Sequence, residues 1–92
     1  MKKRSKLEIY LDLLKAVSKH SRLTRIGNQA NLSWKDTVKH LSFLEERGFV
    51  KAIERNNQRE YVLTQRGSEV LVILEKIAKA LSRRSPMVLS ST

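Results

Sequence analysis

The fold of this chain is decided by residues 23–50, which have the sequence LTRIGNQANLSWKDTVKHLSFLEERGFV. Apolar residues recur at helical intervals on both sides of a polar three-residue segment, Asn31-Leu32-Ser33. The pattern predicts a short helix over about 25–30 and a second helix over about 34–47. The two helices are expected to meet at a tight turn.

Each predicted helix end carries a suitable capping residue. Thr24 is expected to cap the short helix, and Ser33 is expected to cap the helix that follows the turn. Asp36 then occupies the third helical position, where a carboxylate favours the positive end of the helix dipole. Gly48 suits the left-handed conformation that ends helices.

An amphipathic helix over about 6–19 precedes this segment. Ser5 and Glu8 have the spacing of a capping box. Two apolar stripes follow at helical spacing, one made by Leu7, Tyr10, Leu11, Leu14 and Val17 and the other by Ile9, Leu13 and Ala16. So broad an apolar face suggests cover from two sides, by the same domain and by a second chain.

A β-hairpin with a basic tip is predicted after Gly48. Residues 49–54 and 60–63 carry the apolar residues expected of strands, and the polar segment 55–59 between them has high turn propensity. Thr64 is then expected to cap a final helix.

The final helix carries apolar residues at alternating spacings of four and three. This is the pattern of a coiled-coil seam, here formed by Val70, Leu74, Ile77 and Leu81. The seam is about two heptads long, shorter than the three or four that identify a coiled coil from pattern alone. Dimerisation through this helix and packing within its own domain therefore both remain open.

We divide the chain into a basic N-terminal arm (1–5), a domain of three helices and a hairpin (6–63), a final helix with the coiled-coil seam (64–85) and a flexible tail (86–92). The arm owes its charge to Lys2, Lys3 and Arg4, and Lys6 follows directly. Ser85-Pro86 is expected to end the final helix.

The composition favours a polyanionic partner. The 92 residues include 19 Lys and Arg against 9 Asp and Glu, a formal net charge of +10. Nucleic acid is the leading candidate partner for such a chain, and an anionic membrane is the second. The alternative is that the basic surface is only solvated and binds no polyanion. No segment has the apolar length of a membrane span or the core of a signal peptide, so an intracellular, cytoplasmic protein is expected.

The order of elements resembles that of a winged helix-turn-helix domain. The phrases that carry the resemblance are Leu23-Thr24-Arg25-Ile26, Ala30-Asn31-Leu32-Ser33-Trp34, Leu41-x-x-Leu44-x-x-x-Gly48-Phe49-Val50 and Tyr61-x-Leu63-Thr64-x-x-Gly67. Together they are most similar to the small archaeal winged-helix DNA-binding proteins of about ten kilodaltons, some of which are chromatin-associated. The resemblance implies a mainly α fold with a small β-hairpin, and dimerisation through an antiparallel coiled coil. Thr37 departs from the larger apolar residue of that group, and Val38 is expected to take over its packing.

The helix after the turn is expected to enter the major groove of double-stranded DNA by its N-terminal end. That end would present Ser33, Lys35, Asp36, Lys39 and His40. Lysine can donate to guanine or phosphate, and aspartate can accept from cytosine. The alternatives are a solvated face for the lysines and a purely capping role for Asp36.

Two flanking contacts are predicted. Thr24 and Arg25 would lie near a phosphate, where the helix dipole adds to the arginine charge. The hairpin tip, with Arg55, Asn57 and Arg59, would reach the minor groove or the flanking backbone. A basic tip also arises as ordinary solubilising turn chemistry.

Two aromatic residues and two histidines are further candidates for a functional role. Trp34 falls on the apolar stripe with Val38 and Leu41 and is expected to cover the core, with a platform for base stacking as the alternative. Phe43 projects away from that stripe, toward the final helix, a second chain or a thymine methyl group. His20 and His40 lack the partners of a metal site, and no cofactor is expected.

The sequence therefore predicts a non-enzymatic, homodimeric protein that binds double-stranded DNA, most simply a nucleoid-associated transcriptional regulator. No phosphate-binding loop or catalytic pairing is present, and no small-molecule ligand is evident. An abundant chromatin-type protein of low specificity and a winged-helix module for protein or RNA remain as alternatives.

Overall fold

A computed structural model describes residues 4–82 of the chain. The elements in order are α1 (Lys6–Lys19), α2 (Leu23–Ala30), α3 (Trp34–Glu46), β1 (Val50–Arg55), β2 (Gln58–Leu63) and α4 (Gln65–Ser82). The prediction of a mainly helical fold with one hairpin and a long last helix is confirmed. The predicted arm residues 1–3, the end of the final helix and the tail lie outside the described residues.

The core lies between α1 and the other elements. Leu13 and Leu14 of α1 are completely buried, and so are Ile26 of α2 and Leu41 of α3. The hairpin and the last helix complete the core with Val50, Tyr61 and Leu71. One hydrophobic cluster therefore fixes the positions of all six elements.

The predicted capping box of α1 is present. The Ser5 hydroxyl accepts a hydrogen bond from the Glu8 amide at 3.1 Å, and the Glu8 carboxylate accepts one from the Ser5 amide at 2.8 Å. The predicted bounds of this helix are also correct. Local sequence is sufficient here because both capping partners lie within one turn.

Arg4 does not extend as part of a free arm. Its guanidinium pairs with Asp12 at 2.7 Å and donates to the backbone oxygens of Ala30 and Asn31 at 2.8 and 2.9 Å. These are carbonyls at the C-terminal end of α2, which lack partners within the helix. Arg4 therefore ties the start of α1 to the end of α2.

The predicted start of α2 was wrong. The helix begins at Leu23, and its N-cap is Arg22, whose side chain makes no capping hydrogen bond. Arg22 is extended because it forms an isolated antiparallel bridge with Glu60, and the neighbouring Ser21 carbonyl accepts from the Tyr61 amide at 2.8 Å. This long-range pairing, rather than the hydroxyl of Thr24, fixes the first residue of α2.

The turn between α2 and α3 has the predicted form. Asn31 adopts a left-handed conformation with φ of 59°, and the Ser33 hydroxyl accepts from the Asp36 amide at 3.1 Å. At its other end, α3 ends at Glu46, and Gly48 has the expected positive φ of 81°.

Thr37 occupies the crossing point of α2 and α3. It is fully buried, and its hydroxyl donates to the Ser33 carbonyl at 2.7 Å. A Cβ atom added to Gly27 would lie 2.7 Å from this hydroxyl oxygen, closer than real contacts allow. Val38, which was expected to replace Thr37 in the core, is only half-buried. A small residue on each helix therefore lets the two helices approach closely.

The predicted five-residue hairpin tip is too long. The turn contains only Asn56 and Asn57, with φ of 53° and 63°, and Arg55 pairs with Gln58 across it. Positive φ at both central positions is the conformation of the tight turn that matches strand twist. Arg55 and Arg59 therefore lie on strands, at the end of a rigid two-stranded wing.

The start of α4 is capped as predicted. The Thr64 hydroxyl accepts from the Gly67 amide at 3.0 Å and donates to the Gly48 carbonyl at 2.6 Å. Leu71 is buried, and Val70 and Leu74 are partly buried against the core. Within residues 4–82, no helix has the length and apolar character needed to cross a membrane.

Candidate nucleic-acid interface

The outer face of α3 is polar and exposed. Lys35, Lys39, Ser42 and Glu46 are all exposed, which is what a helical spacing of three and four residues gives on one side of a helix. The cationic part of this face is confined to the first two turns, because Glu45 and Glu46 follow near the C-terminal end. A polyanion would therefore be attracted to the N-terminal half of α3.

That N-terminal half presents Ser33, Lys35, Asp36 and Lys39, which are all exposed. Ser33 and Asp36 already form the cap of α3, through the Asp36 amide and the Ser33 hydroxyl. The Asp36 side chain lies beside the positive end of the helix, where a carboxylate is stabilised.

His40 does not belong to this exposed surface. It is buried, and its ring meets the Tyr10 ring edge-on with 5.7 Å between centroids. Burial lowers the pKa of His40 below its ordinary value of 6.5, and Lys39 and Lys6 lower it further, whereas Asp36 opposes the shift. The prediction that His40 contacts DNA was wrong, because α1 covers this side of α3.

Phe43 packs on the same side of α3. Its ring stacks on Tyr10 of α1 with 5.2 Å between centroids and 12° between planes, and the Arg47 guanidinium lies 4.8 Å from the Phe43 centroid. The partner that the structure gives Phe43 is therefore α1, an element that was not among the three expected partners, the final helix, a second chain or a thymine methyl group. Sequence spacing placed Phe43 off the stripe but did not indicate that α1 would meet it there.

Trp34 is the largest departure from the predicted core. Its side chain is 68% exposed at the first residue of α3. The inner face of the helix is formed instead by Thr37, His40, Leu41 and Leu44. The close approach of Thr37 to Gly27 turns this face inward and leaves Trp34 on a flank. The expectation that Trp34 covers the core was therefore wrong.

The start of α2 forms a shallow polar depression. Thr24 and Arg25 are exposed, and they line this depression together with His20, Arg22, Asn28 and Gln29. Arg22 supplies no side-chain cap, so the first backbone amides of α2 receive no capping hydrogen bond from it. The depression can accept an anion beside the Arg25 guanidinium.

The wing is joined to the start of α2 through a buried carboxylate that sequence reasoning missed. Glu60 is only 7% exposed, and its oxygens lie 3.5 Å from Nε of Arg22 and 3.7 Å from Nε of Arg55. The hairpin register brings Arg55 near Glu60, but only the bridge between residues 22 and 60 brings Arg22 to this carboxylate, so no local pattern signalled the contact with α2. Arg59 and Asn57, at the tip, are exposed.

A second surface, largely apolar but bordered by the charged side chains of Arg4, Glu8 and Asp12, runs along α1 and α4. We call it the α1–α4 groove. Its apolar lining consists of Leu7, Leu11, Leu74, Ile77, Ala78 and Leu81. Leu7 is 63% exposed, Ile77 48% and Leu81 79%, so this single chain leaves much of the predicted seam uncovered.

No metal site accompanies these surfaces in the part of the chain that the structure describes. Residues 4–82 hold no cluster of three or more His, Cys, Asp or Glu side chains suited to a metal ion.

Two solved structures share most of this fold over a large part of the chain. Sso10a-2, a DNA-binding protein from Sulfolobus solfataricus, superposes with a TM-score of 0.79 and 23% identity, over 86% of this chain and 83% of that protein. The transcriptional regulator BldR from the same organism gives a TM-score of 0.69 and 20% identity, over 85% of this chain and 63% of that regulator. At these identities the likeness concerns the fold.

Sequence comparison gives the family. An uncharacterized protein of Methanocaldococcus jannaschii is 28% identical over 83 residues, which are 89% of this chain and 81% of that protein. The family model described as "Winged helix-turn-helix" matches residues 3–82, the helices and the hairpin together. The resemblance expected from the sequence motifs is thereby confirmed, and the chain belongs to the winged helix-turn-helix family.

Proposed function

We propose that this protein is a homodimeric double-stranded DNA-binding protein that acts as a transcriptional regulator. The observation that carries the proposal is the exposed polar surface formed by the start of α2, the first two turns of α3 and the wing. Its cationic side chains include those of Arg25, Lys35, Lys39, Arg55 and Arg59, and its exposed carboxylates include those of Asp36 and, on the wing, Glu54. Charge of this sign attracts the phosphate backbone, and a helix N-terminus fits the major groove.

In this proposal, α3 reads the bases. Lys35 and Lys39 lie four residues apart on the exposed side, so both side chains reach into one groove. Lysine donates to the O6 and N7 acceptors of guanine or to phosphate. Ser33 and Asp36 contact the groove floor or the backbone near the start of the helix.

The flanks of the interface hold the phosphate backbone. Thr24 and Arg25 would meet a phosphate at the start of α2, where the first backbone amides receive no capping hydrogen bond from Arg22. Arg55, Asn57 and Arg59 would place the wing on the neighbouring backbone or in the minor groove. Arg55 also lies near Glu60, which pairs with Arg22 at the start of α2. This carboxylate holds the wing beside α2 while the Arg55 side chain contacts DNA.

Dimerisation would use the exposed part of α4. Ile77 and Leu81 face solvent in the single chain, and the half-buried Val70 and Leu74 extend the same side of the helix. A second copy would cover this apolar surface, which water does not solvate favourably.

The proteins with the same fold support this proposal. Sso10a-2 is described as a DNA-binding protein, and FabT of Streptococcus pneumoniae was solved in complex with DNA, with a TM-score of 0.65 and 13% identity to this chain. The match to FabT spans 86% of this chain and 57% of FabT.

A pair of charge reversals tests the role of α3. In the variant Lys35→Glu/Lys39→Glu, we expect binding to a labelled random-sequence duplex to weaken strongly. The slope of log affinity against log salt should become shallower by about 2, because each lysine that no longer neutralises a phosphate removes about one unit. Fluorescence anisotropy at several salt concentrations measures both quantities.

The matched control is Lys15→Glu/Lys19→Glu, which changes the net charge equally. These residues are also exposed and four apart, but they lie on α1, outside the proposed surface. Equal losses of affinity in the two variants would mean that only net charge matters and would contradict docking by α3. Selection from a randomised duplex pool then separates a regulator, which enriches a site, from a chromatin-type protein, which does not.

A further inference from the structure

The exposed side chain of Trp34 does not contribute to the core of the single chain. It is the chain's one tryptophan, and its ring lies in solvent at the first residue of α3. A buried aromatic side chain removes about 150–250 Å² from water, so leaving this one exposed forgoes a large stabilisation. The core positions of α3 are filled by other residues, and Trp34 is free to contact a partner.

The position of Trp34 separates it from the apolar surface proposed for dimerisation. Trp34 is not among the residues that line the α1–α4 groove. It lies nine positions from Phe43, so at about 100° per residue the two side chains point to opposite flanks of α3. Because Phe43 packs on Tyr10 of α1, Trp34 lies on the flank turned away from α1.

Trp34 lies in the same first turn of α3 as residues of the proposed DNA surface. Ser33 precedes it in the chain, and Lys35 follows it about 100° further around the helix. All three are exposed at the end of α3 that would enter the major groove. An apolar side chain at this place can contact one feature of the groove that is itself apolar, the C5-methyl group of thymine.

We propose that Trp34 contacts a thymine methyl group in the major groove and so gives the protein a preference for A·T pairs opposite the start of α3. This inference rests on the proposed DNA binding and adds a base preference to it. Trp34 is thereby a further specificity-determining residue of α3, beside the lysines that donate to guanine or to phosphate.

Replacing thymine with uracil removes the methyl group and leaves base pairing intact, so it tests the contact directly. The probes are two labelled duplexes, one of alternating dA and dT and one of alternating dA and dU. We expect the unmodified protein to bind the thymine duplex about fourfold or more tightly, the factor that burial of one methyl group contributes. The variant Trp34→Ala should bind the two duplexes equally, and Trp34→Phe should retain part of the difference.

Tryptophan fluorescence gives an independent measurement, because Trp34 is the chain's one indole and can be excited selectively. On addition of the thymine duplex, the emission should shift to shorter wavelength and become protected from acrylamide quenching. Circular dichroism serves as the folding control, and Trp34→Ala should keep its melting temperature because the side chain is exposed.

The possible failures are distinguishable. If neither duplex binds at low salt, the proposed function itself is wrong. If both bind and Trp34→Ala matches the unmodified protein on each, the Trp34 contact is wrong although DNA binding stands. If Trp34→Ala weakens binding to both duplexes by the same factor, and uracil has no effect on the unmodified protein, the thymine methyl contact is overturned.

Discussion

At the scale of single residues, Thr37 determines which side of α3 faces the core. Its hydroxyl bonds to the Ser33 carbonyl, and its side chain fits against Gly27 of α2. A larger residue here would push the two helices apart. The same contact sets the rotation of α3 that buries His40 and exposes Trp34.

His40 should make the stability of the protein depend on pH. Burial lowers its pKa in the folded state, so the unfolded chain binds more protons below the ordinary value of 6.5. The free energy of unfolding should therefore decrease as the pH falls below about 6.5 and level off below the folded-state pKa. Urea unfolding at several pH values, followed by circular dichroism, measures this dependence.

The control is His40→Phe, which keeps an aromatic ring beside Tyr10 and does not titrate. We expect this variant to lose the part of the pH dependence that His40 contributes. The same pH dependence in both proteins would contradict this role of His40.

At the scale of elements, the wing depends on two consecutive asparagines in a left-handed conformation. Asparagine tolerates positive φ better than most residues, and glycine tolerates it at no steric cost. The tight turn fixes the register of the strands and carries the arginines at their ends. The wing is therefore a rigid element whose side chains can be tested one at a time.

Asn57→Gly should keep the hairpin and change the free energy of unfolding by less than about 0.5 kcal/mol. Asn57→Val should cost about 1–2 kcal/mol, because a β-branched residue is strained at this φ. Thermal or urea unfolding checks both values. Since Asn57→Gly removes only the side chain with its amide, any decrease of duplex affinity in that variant reports a contact made by that amide. Equal stability of the two variants would show that the turn does not require positive φ.

At the scale of the whole molecule, the proposed DNA surface and the α1–α4 groove lie on different elements. The cationic side chains of the proposed interface belong to α2, α3 and the wing, whereas the α1–α4 groove is largely apolar. A small domain buries only a limited fraction of its surface when it folds. Association of two copies would increase the buried apolar area. The two surfaces can therefore serve DNA and a second copy at once.

Two substitutions on α4 test the dimer. Ile77 is 48% exposed and Val72 is 51% exposed in the single chain, but only Ile77 lies on the proposed seam. We expect Ile77→Glu to give a monomer of 10.7 kDa in sedimentation experiments, while Val72→Glu keeps twice that mass. The nearly equal exposure makes the effect on the single domain similar. A dimer that survives Ile77→Glu, or a monomer in both cases, would contradict the seam.

The sequence by itself determined the order and type of the elements and most of their ends. Local spacing reveals the helix ends whose capping partners lie within a few residues. These are the capping box of Ser5 and Glu8, the caps Ser33 and Thr64, and the end of α3 before Gly48. The exposure of Lys35 and Lys39 was predictable for the same reason, because helical spacing places them on the side of α3 opposite to its buried residues.

Only the tertiary structure decided which side chains those elements bring together. The start of α2 depends on a bridge to Glu60, Arg4 binds the end of α2, and the rotation of α3 depends on Gly27. Each of these contacts joins residues that are far apart in the chain or on different helices. Periodicity gives the apolar side of a helix, but the neighbour that packs against it sets the final angle. For that reason Trp34 lies outside the core and His40 within it.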